Sequence, residues 1–221
     1  TAIFDWCIAK GYRQTKNPAV WRELQFSLPP PNRVHQVKHL KAVALSLAPQ
    51  VAQALLAKGT KTSHAALFGM LTATRVSEFI GARWSEINFD EKVWSVPPER
   101  RKDGVPFPHR VPLSCQAIAL LKEQKQKSDL IFPGRYGALL SVDAPRMALR
   151  HLGYEVTMHG MRSTFRDWCA GTKQDWVASE KALSHSVGSK VTQAYLRTDM
   201  LEERRIIMQQ WADFLFGENN A

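Results

Sequence analysis

Three consecutive prolines, Pro29-Pro30-Pro31 between Leu28 and Asn32, constrain this chain more than any other stretch. Each locks φ and removes a backbone donor, so neither a helix nor an interior strand can run through them. They read as a stiff, extended linker, and a domain boundary is expected there. Ahead of them, residues 1–26 read as helical, with Phe4, Trp6, Ile8, Trp21, Leu24 and Phe26 as apolar anchors. A piece of about thirty residues is too small to enclose its own core. Together with the missing initiator Met, this suggests the end of a preceding domain in a longer protein, residues 1–34. The main domain is then residues 35–221.

Charge is distributed as unevenly as the prolines divide the chain. The net charge is +10, yet residues 1–61 hold nine Lys/Arg against two Asp/Glu, while residues 62–221 hold twenty-one against eighteen. The early excess points to a polyanionic partner, either nucleic acid or an acidic membrane surface. In the nearly balanced remainder, any basic residue that does chemistry must do it by position. No run of eighteen apolar residues exists to span a membrane, and no signal-peptide pattern opens the chain. Cys7, Cys115 and Cys169 are odd in number and far apart, which fits neither a disulfide framework nor paired zinc ligands. A reducing, cytoplasmic setting is the simplest expectation.

Periodicity predicts a mainly helical α+β fold with one small antiparallel sheet. Val43, Leu47, Val51 and Leu55 recur at fourfold spacing in a helix expected over 34–56. Further helices are expected over 64–71, 74–83, 114–125, 143–151 and 157–170, the last with Thr157 as N-cap and Gly171 as its stop. A final amphipathic helix is expected over 199–214, opened by Asp199 and Glu202 in capping-box spacing. The period changes at Val93-Trp94-Ser95-Val96 and at Arg110-Val111-Pro112-Leu113, two strand candidates either side of Asp103-Gly104. Leu130-Ile131-Phe132 is a third.

Four clusters could carry chemistry. On the 157–170 helix, His159, Arg162 and Arg166 share one face, and Met161, Phe165 and Trp168 the core face. A histidine and an arginine near the positive end of a helix dipole make a plausible site for an anion. The others are Leu183-Ser184-His185 with Tyr195 ten residues on, Arg75 within Thr72-Ala73-Thr74-Arg75-Val76-Ser77-Glu78, and Arg100-Arg101-Lys102 between the strand candidates. Each alone is weak, because basic loops are usually only solvated and tyrosines are usually only packed.

Their order and flanks are more specific. Arg75, Lys102, His159, Arg162, His185 and Tyr195 resemble, in sequence and spacing, the six active-site positions of the tyrosine recombinase (phage integrase) family. The resemblance extends to T-x-x-R-x-S-E around Arg75, W-x-x-I at Trp84–Ile87, V-P-L-S at Val111–Ser114 and I-F-P at Ile131–Pro133. It includes H-G-M-R-S-T at His159–Thr164, A-L-S-H at Ala182–His185 and A-Y at Ala194-Tyr195. The Tyr195 context, Leu201–Arg205 and Trp211-Ala212-Asp213 look most like integrases of satellite phages and genomic islands. The match covers residues 35–217, and Asn17-Pro18-Ala19 with the linker resembles the end of that subfamily's core-binding domain. Two departures stand out. Ala73 replaces a glycine common in the family, and the stretch from Lys102 to His109 is about two residues longer. The second leaves Arg100 or Arg101 as alternatives to Lys102, although an amine gives up a proton where a guanidinium does not.

The resemblance implies a site-specific recombinase of a mobile element that acts on double-stranded DNA as an oligomer, a tetramer in the assembled state. Tyr195 would attack a phosphodiester, Arg75 and Arg162 would clamp it with help from His185, His159 would act as base and Lys102 as acid. The early basic segment would lie along DNA phosphates. No metal or other cofactor is expected, because the sequence holds no H-E-x-x-H, C-x-x-C or carboxylate cluster. Two competing expectations are a topoisomerase of type IB, with related chemistry, and a DNA-binding module that keeps the fold without activity. The last helix is expected either to pack on its own domain or to dock on a neighbouring protomer.

Overall fold

Pro49 decides where the first long helix of the main domain begins. In the computed structural model, which describes residues 2–29, 42–102, 104–126, 128–185 and 198–217, helix α3 spans Ala48–Lys58 with Pro49 in its first turn. There the missing N–H costs nothing and the fixed φ favours helix. Of the helix expected over 34–56, residues 34–41 lie outside the described residues; within 42–56 the helix starts at 48, after a short 3-10 turn at Leu45–Leu47. Val51 and Leu55 are buried as their spacing demands, while Leu47 lies outside the helix and is exposed.

Two compact units are present, Thr1–His39 and Leu40–Ala221. In the first, α1 (Ala2–Ala9) and α2 (Trp21–Leu24) replace the continuous helix expected over 1–26. The break is local: Gly11 takes positive φ, and Asn17 Nδ2 donates to Asp5 Oδ1 at 2.7 Å while its Oδ1 accepts from Ala19 N at 2.8 Å. That Asx-type turn at Asn17-Pro18-Ala19 competes directly with helix. Among the described residues of this unit, no apolar side chain is fully buried.

The second unit packs α4 (Lys61–Thr72) at its centre, between α3 and the later α6 (Cys115–Lys122) and α7 (Ala144–His151). Thr60 caps α4 by accepting from Ser63 N, with Ser63 Oγ accepting in return from Thr60 N. One glycine on α4 is needed for contact: a Cβ at Gly69 would stand 2.4 Å from the Phe79 ring. Phe79 belongs to α5 (Val76–Ile80), so this close approach is what seats the short helix behind Arg75.

The sheet is antiparallel, in the order β1 (Ile87–Asn88), β2 (Val93–Val96), β3 (His109–Pro112). Trp94 pairs with Val111, and Val96 with His109. The inward rings of Trp94, Phe68 and Phe132 form one end of the core, with centroids 5.1 and 5.5 Å apart. Leu130-Ile131-Phe132 is not a strand: it contributes a single antiparallel bridge, Arg83 to Leu130, and Ile131 N donates to Ala82 O. Its apolar run reflects burial of Ile131 and Phe132, and not sheet pairing.

Helix α8 (Met158–Gly171) is capped by Thr157, whose hydroxyl accepts from Gly160 N at 2.9 Å. Gly171 is its last residue instead of its stop, and the left-handed conformation falls on Lys173. Helix α9 (Trp176–Ala182), capped by Asp175, was not foreseen. The last helix, α10 (Leu201–Phe216), begins after Met200 in the left-handed region. Asp199 does not cap it; both its oxygens take Arg110, at 2.8 and 2.9 Å, and Arg204 adds a third bond at 3.2 Å. Through Ile207, Met208, Trp211, Ala212 and Leu215, α10 packs on its own domain. Trp211 is fully buried among Phe165, Trp168 and Phe214, and its Nε1 donates to Met70 O at 2.9 Å.

Candidate functional site

The α4–α5 junction is built around a residue that ordinarily avoids its conformation. Ala73 ends α4 with φ of 51°, in the left-handed region that costs an L-residue about 1–2 kcal/mol. This is the position where the resembled family commonly has glycine, and the conformation explains that preference. The turn brings Arg75 to the N-cap of α5 in extended backbone. Glu78, fully buried, accepts from the Arg75 backbone N at 2.9 Å and from its Nη1 at 3.2 Å. A buried carboxylate with a charged partner and a backbone donor is satisfied on both counts.

Arg162 comes to the same place from α8 and is only 5% exposed. Its Nη1 donates to Ala73 O at 2.5 Å, and its Nη2 to Leu183 O at 2.6 Å. Burial, followed by the neighbouring charge of Arg75, lowers its pKa to about 10, which leaves it cationic at neutral pH. The expected shared face of His159, Arg162 and Arg166 divides in the fold. His159 is exposed at the helix start, Arg162 points inward, and Arg166 turns to solvent, where its Nε meets Glu180 Oε1 at 2.8 Å.

The turn after α9 is the hub. Ser184 takes φ of 53°, and three successive residues offer groups to the arginines. Leu183 O accepts from Arg162, Ser184 O accepts from Arg75 Nη2 at 3.0 Å, and His185 Nε2 lies 3.2 Å from Arg162 Nη2. On the other side, His185 Nδ1 meets Glu180 Oε2 at 2.8 Å. A guanidinium has no lone pair to offer, so Nε2 accepts here and Nδ1 carries the hydrogen towards Glu180. Glu180 thus orients His185 while holding Arg166.

The hairpin residues separate clearly. Arg100 is structural: its Nη1 donates to Gly81 O and its Nη2 to Glu86 Oε2, which also accepts from Trp94 Nε1. Arg101 donates to Phe107 O at 3.0 Å and to Ser184 Oγ at 3.3 Å. Lys102 is exposed, and its charge reaches His159. The His159 pKa falls below the ordinary histidine value, first through desolvation and then through Arg162, His185, Arg75 and Lys102. Of the six positions singled out in the sequence, Arg162 and His185 are directly hydrogen-bonded, Arg75 joins the same turn through Ser184 O, and His159 and Lys102 lie within their electrostatic reach. Tyr195 lies outside the described residues.

Sequence reasoning passed over several participants. Glu78 lies inside the T-x-x-R-x-S-E motif, three residues after Arg75, where the sequence alone assigns it no role. Glu180, five residues before His185, had no pattern to mark it. His109 of β3 is almost entirely buried, with Nε2 3.5 Å from Arg204 Nη1 and no hydrogen-bond partner for Nδ1 among the described residues. Burial first, then the charges of Arg204, Arg101, Arg162 and Arg75, holds its pKa down at about 3.

The Phage integrase family profile matches residues 36–202. The integrase of Enterobacteria phage P4 is 37% identical over 209 residues, covering 84% of this chain and 47% of that protein. The chain thus spans about half the length of that curated relative. Among solved structures, the integrase from mycobacterium phage Brujita superposes with a TM-score of 0.62 at 16% identity, covering 100% of this chain and 74% of that one. A lambda integrase tetramer bound to a Holliday junction gives 0.56 at 19% identity, covering 89% and 56%. At these identities the structural likeness establishes the fold, that of a tyrosine recombinase catalytic domain. No helix among the described residues is long and apolar enough to cross a membrane. Profile, relative and fold agree with the arginine–histidine cluster just described: this chain belongs to the phage integrase family.

Proposed function

We propose that the chain is the DNA-cleaving part of a site-specific recombinase of a mobile element, acting on double-stranded DNA in the cytoplasm of a bacterium. In this reading residues 35–221 are the catalytic domain, and residues 1–34 are the end of a core-binding domain and its linker. The observation that carries it is the convergence of Arg75, Arg162 and His185 on one turn, with His159 and Lys102 in electrostatic contact. Five cationic or protonatable groups gathered at one turn suit a phosphodiester whose non-bridging oxygens gain charge during substitution. The lambda integrase tetramer on a Holliday junction supports DNA as the partner and a tetramer as the working assembly.

Tyr195 attacks phosphorus, forming a 3′-phosphotyrosyl bond while the bond from phosphorus to the 5′-oxygen breaks. His159, whose lowered pKa keeps it unprotonated near neutrality, takes the tyrosine proton. Lys102 gives a proton to the departing oxygen, which leaves as a 5′-hydroxyl. Ester is exchanged for ester, so the reverse attack by that hydroxyl needs no energy input. Glu180 at Nδ1 fixes the plane of the His185 ring, which faces the same phosphate beside Arg162.

The test is covalent trapping. Nicked suicide duplexes spanning the boundaries of the encoding element are incubated with the protein and denatured. A protein–DNA adduct from wild type that is lost in Tyr195→Phe is expected. No adduct from wild type, or an adduct that persists in Tyr195→Phe, overturns the assignment.

A further inference from the structure

Ser184 occupies a conformation that glycine would adopt at no cost, and it is almost fully buried there. What a serine offers at that point, and a glycine cannot, is a hydroxyl. The Ser184 backbone is already held without it: its N donates to Lys181 O at 3.0 Å, and its carbonyl accepts from Arg75 at 3.0 Å. The hydroxyl faces Arg101, whose Nη2 stands 3.3 Å away. The same guanidinium donates through Nη1 to Phe107 O at 3.0 Å, on the opposite arm of the β2–β3 connection. Arg101 therefore joins three things: the start of that connection, its return arm, and the turn that presents His185. The next residue along the chain is Lys102.

The geometry points to Arg101 as a positioning residue for the proton donor. One planar side chain with fixed donor directions sets the Lys102 backbone relative to the Ser184–His185 turn, and hence relative to a phosphate held by Arg75 and Arg162. The neighbouring Arg100 cannot take this role, because Gly81 and Glu86 already fix it to the other side of the hairpin. Lys102 itself is exposed on a long connection, so its alignment has to come from a neighbour. The inference rests on Lys102 being the proton donor proposed above, and the experiment separates the two.

A DNA substrate with sulfur in place of the bridging 5′-oxygen provides the readout, because a thiolate leaves without receiving a proton. Single-turnover cleavage by the protein is measured on oxygen and sulfur substrates, with DNA affinity and thermal unfolding recorded alongside. Lys102→Ala is expected to slow the oxygen substrate about 100-fold or more and to recover on sulfur. Arg101→Ala is expected to slow the oxygen substrate about 10- to 100-fold through misalignment, with unchanged DNA affinity, and to recover on sulfur as Lys102→Ala does. Ser184→Gly, which keeps the turn and removes the hydroxyl, follows in the same direction. Its effect is absent when Arg101 is already alanine, since both variants break one contact. Arg101→Lys retains part of the rate.

Failure of Lys102→Ala to recover on sulfur removes the proton-donor assignment and the inference with it. Recovery of Lys102→Ala but not of Arg101→Ala leaves the donor standing and overturns the positioning role, placing Arg101 on the phosphate or the fold. Independent, multiplying effects of Arg101→Ala and Ser184→Gly also overturn it.

Discussion

Arg162 and His185 share one hydrogen-bonding frame: the Nη2 that stands 3.2 Å from His185 Nε2 also holds the carbonyl of Leu183, two residues earlier, at 2.6 Å. The arginine thereby fixes both the backbone that leads into the histidine and the ring itself. Its other amino group holds Ala73 O, so a single buried side chain ties α8 to two separate turns.

Replacing Arg162 with lysine therefore tests structure and chemistry together. An ammonium is a single point of donors and cannot reach two carbonyls and a ring nitrogen in one plane. At least one buried carbonyl loses its partner, at about 1–3 kcal/mol, and His185 loses its orientation. Arg162→Lys is expected to lower unfolding free energy by that amount in urea titration. Adduct formation should fall about 100-fold or more, beyond what the lost stability accounts for at temperatures where the variant remains folded.

Ala73 makes a prediction that runs against ordinary helix propensity. At a normal buried helical site such as Ala66, changing alanine to glycine loses about 1 kcal/mol of propensity and a further ~0.8 kcal/mol of buried methyl. At Ala73 the same losses are offset by release of about 1–2 kcal/mol of left-handed strain. Ala73→Gly should lie within about 1 kcal/mol of wild type in chemical denaturation, whereas Ala66→Gly should cost about 2 kcal/mol. Equal losses at the two positions would show that the turn is not strained.

These two cases mark what the sequence made legible. The residue types around Arg75, Arg162 and His185 were visible because their order and neighbours match a family pattern, and β2 and β3 were visible from Val93–Val96 and Arg110–Leu113. The groups that hold those residues were not. Glu180, Ser184 and Ala73 act through a carboxylate five residues away, a hydroxyl and a backbone angle, none of which leaves a periodic trace. The seven-residue α9 has Trp176 exposed at its first position and no apolar stripe long enough to read. Asp199 had the spacing of a capping box, yet tertiary ion pairs with Arg110 and Arg204 claimed it.

His109 gives the main domain an acid-sensitive component. Its folded pKa is depressed to about 3, so below the ordinary histidine value the unfolded chain binds a proton that the folded chain refuses. Stability contributed by the neutral ring is complete above pH 6.5 and declines as pH falls towards 3, by up to about 1.4 kcal/mol per unit. Between pH 6.5 and 5, where most carboxylates stay ionised, wild type should lose about 1–2 kcal/mol more than His109→Gln in urea titrations. Parallel pH dependence of the two proteins would place the sensitivity elsewhere.

Trp211 decides what α10 does. One expectation from sequence was that the last helix could dock on a neighbouring protomer, in which case its removal would spare the monomer. The helix instead places Trp211 between Phe165 and Trp168, with centroids 5.5 and 5.4 Å away, and bonds its indole to Met70 O at the centre of the domain. Truncating such a ring leaves a cavity and an unpaired carbonyl, at about 3–5 kcal/mol. Trp211→Phe keeps most of the packing and gives up the hydrogen bond, at about 1–3 kcal/mol for the carbonyl left unsatisfied. Both losses should appear in thermal unfolding at every protein concentration, because the contacts lie within one chain. Docking on a neighbour would instead make the Tm of wild type rise with concentration and leave dilute Trp211→Ala indistinguishable from dilute wild type.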